Sequence, residues 1–443
     1  MKYVSDSVLR LLPENELPVR FAVTKTDESQ HYCEIGVLSN LAQSFGKPRD
    51  YIFNFERRAF ENTNQFNAVL LVPTGIGAEI GGHAGDAGPV ARLLAGVCDH
   101  LITHPNVVNA SDINELPENG LYVEGSILTR LLMGTIGLQK VRSNRVILII
   151  DKHKDKFFDE AAVNAASAAR ATLGFNCPLV IKMGETIDTK AFYTRSGRAV
   201  GKVDYFERLL DVLERYRNDY DAVALSTIIG VPLESHERYL LEDIINPWGG
   251  VEAMLSHAVS LLYDVPSAHA PMLEARELLY LDAGEVDPRK AAEAVSATFL
   301  HCVLKGLHKS PRIIPTSMTD QVGGISARDI SCLVIPYGCV GLPTLAAIEQ
   351  GIPVIAVKEN KNRMQNKLES LPFENRKLFV VNNYLEAVGV MQALKAGVSV
   401  ESVRRPLQYT NVQEEVGRDK CEKERQTSER TAMILDEDHA SVL

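Results

Sequence analysis

The sequence predicts an α/β protein of two lobes, each with a mainly parallel sheet flanked by helices. Three observations predict it. Apolar runs such as Ala68 to Val72 and Cys332 to Ile335 read as strands buried on both faces. Helix-length segments alternate with these runs from residue 66 onward, the order expected of a parallel sheet. Glycine-dense turns follow two of the runs and open into helices at Pro89 and Pro343, proline being suited to the first helical position.

Residues 1–65 form a preface in which Arg20 to Thr24 and His31 to Val37 are short β-prone pieces. Tyr51 to Phe55 alternates like a half-buried strand. This region is expected to be an appendage or a homodimer contact with little chemistry. The first lobe, 66–245, begins with the strand Ala68 to Val72 and the stretch FNAVLLVPTGIGAEIGGHAGDAGPVARLL. Six glycines fall within fourteen residues there, Gly75, Gly77, Gly81, Gly82, Gly85 and Gly88, with His83 and Asp86 among them. Cys98 to Thr103, Gly120 to Val123 and Arg145 to Ile150 are further strands, and Ser126 is placed to cap a helix over Ile127 to Met133. Asp159 to Leu173 is an alanine-rich helix, Pro178 to Ile181 a strand, Tyr205 to Tyr216 an amphipathic helix and Ala222 to Ile229 a buried strand.

The second lobe, 246–404, opens with a Pro/Gly turn holding Trp248, either a stacking surface or the filling of a gap between domains, and continues into a helix over Val251 to Leu262. His257 on that helix reads as a satisfied histidine, and Ser267 to Pro271 as a loop carrying His269. Arg289 to Leu307 reads as one helix. The stretch ISCLVIPYGCVGLPTLAAIEQGIPVIAVKEN then repeats strand, glycine turn, helix and strand, which places the second glycine turn on a second sheet facing the first across a cleft. Phe379 to Val381 and Tyr384 to Leu394 close the fold. Residues 405–443 are charged and polar and are expected to be a disordered tail.

Composition narrows the function. At 443 residues the chain holds about two domains at roughly 100 to 200 residues each. With 45% hydrophobic and 23% charged residues it reads as a soluble globule. A net charge of −10 argues against nucleic acid or an anionic membrane as partner. Seven cysteines without CxxC spacing suit a reducing cytoplasm. No stretch has signal-peptide character or approaches eighteen apolar residues, which disfavours export and membrane spanning.

The chemistry is expected at the strand ends. Backbone N–H groups at a glycine turn leading into a helix suit a phosphate or carboxylate, so Gly81, Gly82 and Gly85 in the first turn and Gly338 and Gly341 in the second are candidate ligand contacts. Glycines also serve tight turning and close packing. The spacing is neither GxGxxG nor GxxxxGK[ST], and no cofactor is named by it. His104, Asn106, Glu124 and Asp151, each just past a strand, are expected on the same rim, and Glu359 and Asn360 are expected to contact hydroxyls. His83, with Asp86 beside it, is the candidate general acid or base. Cys339, in a turn before a helix, is either a reactive thiol or an inert buried one. A divalent ion held by His83, Asp86, His104 and Glu124 matches no compact motif, so no metal is assigned.

The words IGAEIGGHAGDAGPVARLL, LITHPNVVN, YVEG and AIEQGIPVIAVKEN resemble an uncharacterised family, domain of unknown function 3326, over residues 66 to about 404. That resemblance carries no assigned reaction. Gly81, Gly82, His83 and Pro89, with Gly338 to Gly341, the helix to Gln350, Glu359 and Asn360, are similar to parts of two-lobed sugar-nucleotide enzymes of the GT-B type, including the glycosyltransferase of peptidoglycan lipid synthesis and the UDP-N-acetylglucosamine 2-epimerases. The likeness implies a GT-B-like arrangement, a diphosphate on the second helix N-terminus and Glu359 on sugar hydroxyls. The chain departs from it in the 65 residues before the first turn and in that turn's longer inner spacing.

The leading expectation is an enzyme, a transferase or epimerase of the sugar-nucleotide type, that binds a small anionic metabolite between the lobes. A racemase or lyase using Cys339 on a small carboxylate is the second reading. A non-catalytic ligand-responsive scaffold is the third.

Overall fold

A short helix, Lys2–Leu9, precedes an antiparallel hairpin, β1 (Glu16–Thr26) and β2 (His31–Ser39), in a computed structural model that describes residues 1–27, 30–39, 47–83, 85–280, 284–295 and 298–413. This hairpin is no detached appendage. On its other edge β1 pairs with the second glycine turn, Ala22 opposite Gly341 and Val23 opposite Val340. Tyr51 to Phe55 does not form the expected strand: Tyr51–Phe53 is a 3-10 turn, and a single turn suffices to bury Ile52 and Phe53.

The larger sheet has six parallel strands, β3 (Asn67–Leu70), β4 (His100–Thr103), β5 (Gly120–Tyr122), β10 (Ile330–Pro336), β11 (Val354–Val357) and β12 (Leu378–Val381). Between β5 and β10 the chain builds the smaller sheet, β6 (Val146–Ile150), β7 (Leu179–Lys182), β8 (Ala222–Ile228) and β9 (Ser267–Met272), also all parallel. β3, β6 and β11 are buried at every position, which accounts for their uninterrupted apolar sequences.

The larger sheet runs β12-β11-β10-β3-β4-β5. The chain therefore winds outward from β3 in one direction and from β10 in the other, and the order reverses between these two neighbours. In open α/β sheets that reversal opens a crevice outside the carboxyl ends of the strands. Both glycine turns follow the strands that flank it. The expectation of a second sheet for the second turn is thus corrected, and the sheets do not follow a boundary near residue 245, since the larger one draws strands from both sides of it. The smaller sheet, β7-β6-β8-β9, reverses in the same way between β6 and β8.

Helices flank these strands: α1 (Gly88–Ala95), α2 (Gly125–Leu132), α3 (Lys156–Leu173), α4 (Glu207–Arg215), α5 (Leu233–Leu241), α6 (Gly249–Tyr263), α7 (His301–His308), α8 (Leu342–Gln350) and α9 (Tyr384–Lys395). Proline opens α1 and α8 as expected. The cap of α2 is Glu124, not Ser126, because its carboxylate accepts from the N–H groups of Ser126 and Ile127. Residues 267–271 are strand where a loop was expected, since His269 is hidden in β9 against β8. Arg289 to Leu307 does not form one helix: Phe299 adopts φ 50°, outside the right-handed helical region, and among the described residues of the span only Ala291–Ala294 and α7 are helical. α6 packs against β1, α2 and β9 and so joins the two sheets.

Met1–Ala396 make up one compact unit and Gly397 begins a second. In the second, residues 404–413 are exposed and without regular structure. The remainder of the expected tail, 414–443, lies outside the described residues.

Candidate active site

A cavity of about 350 Å³ lies at the carboxyl ends of β3, β4 and β5. Its walls are completed by β1, the second glycine turn, α6 and β9. The strand ends supply His104 and Glu124, and residues well separated in sequence supply Arg20 and His257.

Glu124 is buried, and each of its oxygens is engaged. Oε2 accepts from the Ser126 N–H at 2.8 Å and from the Ser126 hydroxyl at 2.5 Å, while Oε1 stands 2.5 Å from Nδ1 of His257 and 3.5 Å from the Ser256 hydroxyl. Burial works to raise its pKa, but the electrostatic interaction with His257 and the hydrogen bonds from Ser126 hold it down at about 2. A carboxylate fixed in this way orients the imidazole it faces. Room for the ring comes from Gly125, where a Cβ atom would lie 2.8 Å from Cε1 of His257.

His104 is buried beside this pair, and its Nε2 accepts from the Val72 N–H at 3.1 Å. Burial lowers its pKa to about 4, so the ring is neutral and carries its proton on Nδ1. Arg20 lines the same cavity and donates to the Thr74 carbonyl at 3.1 Å. Among the described residues no carboxylate lies within ion-pair distance of it. Desolvation, followed by the Arg198 charge, lowers its pKa to about 9, leaving it cationic at neutral pH. The electrostatic influence of Glu124 on Arg20 and His104, and of His257 on His104, ties the four into one polar group.

The first glycine turn is built differently from its expected role. Asp86 accepts from the Gly81 N–H at 2.8 Å, and burial raises its pKa to about 7. Asn106 donates to the carbonyls of Val72 and Gly81 at 3.0 and 2.7 Å. Gly82 packs on the Ala78 carbonyl and Gly85 on Ala110, with no space for a side chain at either. Gly82 and His83 line a separate pocket of about 190 Å³, together with Arg289, Lys361 and Arg363. Nδ1 of His83 is 2.9 Å from the Tyr239 hydroxyl, which donates to Glu293 at 2.8 Å. Burial, then the charges of Lys290 and Arg289, lower the His83 pKa to about 4.

In the second turn Cys339 and Gly341 line the large cavity, but burial raises the Cys339 thiol pKa, opposite to the depression expected before a helix. Gly338, at φ 87°, approaches the Met364 carbonyl. Asn360 is wholly buried and ties the loop after β11 to the first glycine turn and to α9, accepting from the Ile80 N–H at 2.9 Å and donating to the Ile80 carbonyl at 2.8 Å and the Tyr384 hydroxyl at 2.7 Å. Its amide is thus engaged within the fold. Glu359 is exposed and pairs through its backbone N–H with Asn382. The metal set considered for His83, Asp86, His104 and Glu124 is divided between two pockets and a loop. Among the described residues no group of three or more such side chains is placed to hold a metal ion.

Residues 67–404 match the family described as "Protein of unknown function (DUF3326)". The chain belongs to this family. It is also 34% identical over 363 residues to an "uncharacterized lipoprotein" of Synechococcus sp. (strain PCC 6301), an alignment that covers 78% of this chain and 96% of that one. No solved structure matches. No helix among the described residues is long and apolar enough to cross a membrane. The DUF3326 span includes both sheets, Glu124 and His257, but begins after β1, so Arg20 reaches the cavity from outside it.

Arg20 and His257 were missed by sequence reasoning. A charge flanked by buried Val19 and Phe21 was a visible sign for Arg20, while His257 carried no local sign, because its partner lies 133 residues earlier in the chain, at the end of β5.

Proposed function

We propose that the chain is an enzyme that binds a small anionic metabolite on Arg20 and removes a proton from it with His257, oriented by Glu124. The observation that carries the reading is a guanidinium with no carboxylate partner among the described residues, in the same cavity as a buried carboxylate faced by a partly exposed imidazole. A cation so placed favours a phosphate or carboxylate. A histidine held through Nδ1 by a carboxylate has the arrangement of an oriented general base. The site at a strand-order reversal accords with where α/β sheets bind ligands. We place its action in the cytoplasm, which cell fractionation checks against the membrane attachment that the relative's printed name implies for that protein.

The test is a thermal-shift screen of nucleotide-sugars, sugar phosphates and small carboxylates on the wild type and on Arg20→Met. A ligand that binds only the native state raises the melting temperature. An anion that stabilises the wild type and not the variant supports the reading; equal stabilisation of both overturns it. For the ligand found, proton exchange with deuterated solvent is then expected in the wild type and not in His257→Gln.

A further inference from the structure

The walls of the large cavity beyond its polar group are mostly apolar. Phe21, Ile52, Leu261, Met272 and Leu279 line it, as does the Trp248 ring. Trp248 lies 4.8 Å from the His236 ring, centroid to centroid, and 5.2 Å from the Tyr239 ring. A ligand with many hydroxyl groups would leave them without partners against such walls, which is unfavourable. An apolar body gains from the same burial. Polar side chains interrupt the apolar surface at several points, and at one of them Nε2 of His236 is buried and without a hydrogen-bond partner among the described residues, as are the Ser111 hydroxyl and Nδ1 of His269 on other walls of the cavity. A buried polar atom of this kind calls for a partner from the ligand or from water.

Resting on the enzyme reading above, we infer that the substrate is an acid with one anionic head for Arg20, an apolar body along Trp248 and Leu279, and a neutral polar group for His236. The head is a carboxylate or a phosphate monoester, which share the chemistry of a guanidinium contact. This class excludes nucleotide-sugars, which carry two sugar rings and a diphosphate where the class has an apolar body and one anionic head. Burial lowers the His236 pKa to about 4, so the ring offers a neutral hydrogen-bonding atom at physiological pH.

Trp248 is the single tryptophan of the chain, so its emission reports directly on occupation of the cavity. The experiment titrates the full-length protein with unbranched carboxylic acids of four to ten carbons and with alkyl phosphates of matching length, reading tryptophan fluorescence and calorimetric affinity. Affinity is expected to rise about fourfold for each added methylene until the cavity is filled, with a change in emission at every length that binds. The series with the tighter short members identifies the head. Leu279→Gln is expected to weaken the long acids at least tenfold and leave the four-carbon acid unchanged. A keto acid is expected to bind more tightly than the plain acid of equal length, and His236→Phe to erase that preference. Affinity that is flat with chain length, or tighter binding of glucose 6-phosphate or a nucleotide-sugar than of the ten-carbon acid, overturns the inference. Those outcomes leave the enzyme reading intact if the anion that binds is lost in Arg20→Met. Loss of no anion in that variant sinks the enzyme reading instead.

Discussion

Nδ1 of His257 stands 2.5 Å from Oε1 of Glu124, which joins the middle of α6 to the first turn of α2. One carboxylate thereby caps a helix and orients an imidazole. Glu124→Gln is expected to lower stability by about 1.5–3 kcal/mol, because the hydrogen bonds from Ser126 and the contact with the partly exposed His257 ring lose the carboxylate charge. The folded-state pKa of Glu124 is depressed from 4.5 to about 2, so its contribution is complete above about pH 4.5 and is lost as pH falls toward 2. Urea titrations at pH 7 and pH 3 check both parts: the variant's deficit is present at pH 7 and smaller at pH 3, and an equal midpoint for variant and wild type at pH 7 removes the pair from the account.

Gly125→Ala tests whether the imidazole position matters to chemistry as distinct from folding. The added Cβ would meet Cε1 of His257 at 2.8 Å, closer than carbon atoms approach, and the ring must move away from Glu124. Proton exchange of the bound ligand is expected to fall by at least tenfold, with affinity for the ligand changed less than threefold. Full exchange activity in this variant contradicts the assigned role.

Arg20→Met retains the apolar stem of a strand residue and removes the cation. Since hydrogen bonds to charged groups contribute about 1.5–3 kcal/mol, anion affinity is expected to fall roughly 10- to 150-fold. Isothermal titration of the ligand identified by the screen measures the loss, and circular dichroism verifies the fold.

His83, His104 and His236 are each buried with the pKa lowered from 6.5 to about 4. The unfolded chain binds protons at these positions before the folded chain does. Their stability is therefore full above about pH 6.5 and declines as pH falls toward 4. Asp86 acts in the opposite sense, since its raised pKa of about 7 makes the fold gain stability as pH falls from 7 toward 3.8. Asp151, whose pKa burial raises to about 6, acts in the same sense as Asp86, but the three histidines outweigh the two carboxyls, and stability is expected to fall on acidification between pH 6.5 and 4. His236→Phe is expected to reduce that slope by up to about 1.4 kcal/mol per pH unit, measured by urea unfolding at half-unit steps.

Asn360 joins the loop after β11 to the first glycine turn through two hydrogen bonds to the backbone of Ile80. Asn360→Ala leaves that buried N–H and carbonyl unpaired and is expected to cost about 1–3 kcal/mol for each. Hydrogen exchange at Ile80 is expected to quicken more than exchange in β6, which the variant does not touch.

The parallel strands were legible because burial on both faces leaves an apolar run such as Val146–Ile150, and most helices were legible from capping and apolar spacing. Strand order was not, since neighbours in a sheet need share nothing in sequence. That is why the two glycine turns were assigned to separate sheets although β3 and β10 pair directly. The site was legible in part: His104, Asn106 and Glu124 stand at strand ends in the large cavity, while Asp86 and Asn360 hydrogen-bond to the fold. Polar residues that stabilise a loop and polar residues that meet a ligand have the same composition. Their hydrogen-bond partners separate them, and those appear only in three dimensions.

The two central strands of the larger sheet come from distant parts of the chain. The N–H of Asn67 at the start of β3 donates to the hydroxyl of Ser331 in β10, across 264 residues. During synthesis β3 therefore leaves the ribosome long before its inner neighbour exists, with one row of backbone donors and acceptors unmatched while the whole smaller sheet is made. An open apolar strand edge of this kind invites pairing with other nascent chains. Truncation anywhere before residue 336 removes part or all of β10, so the crevice cannot form until that strand has been translated.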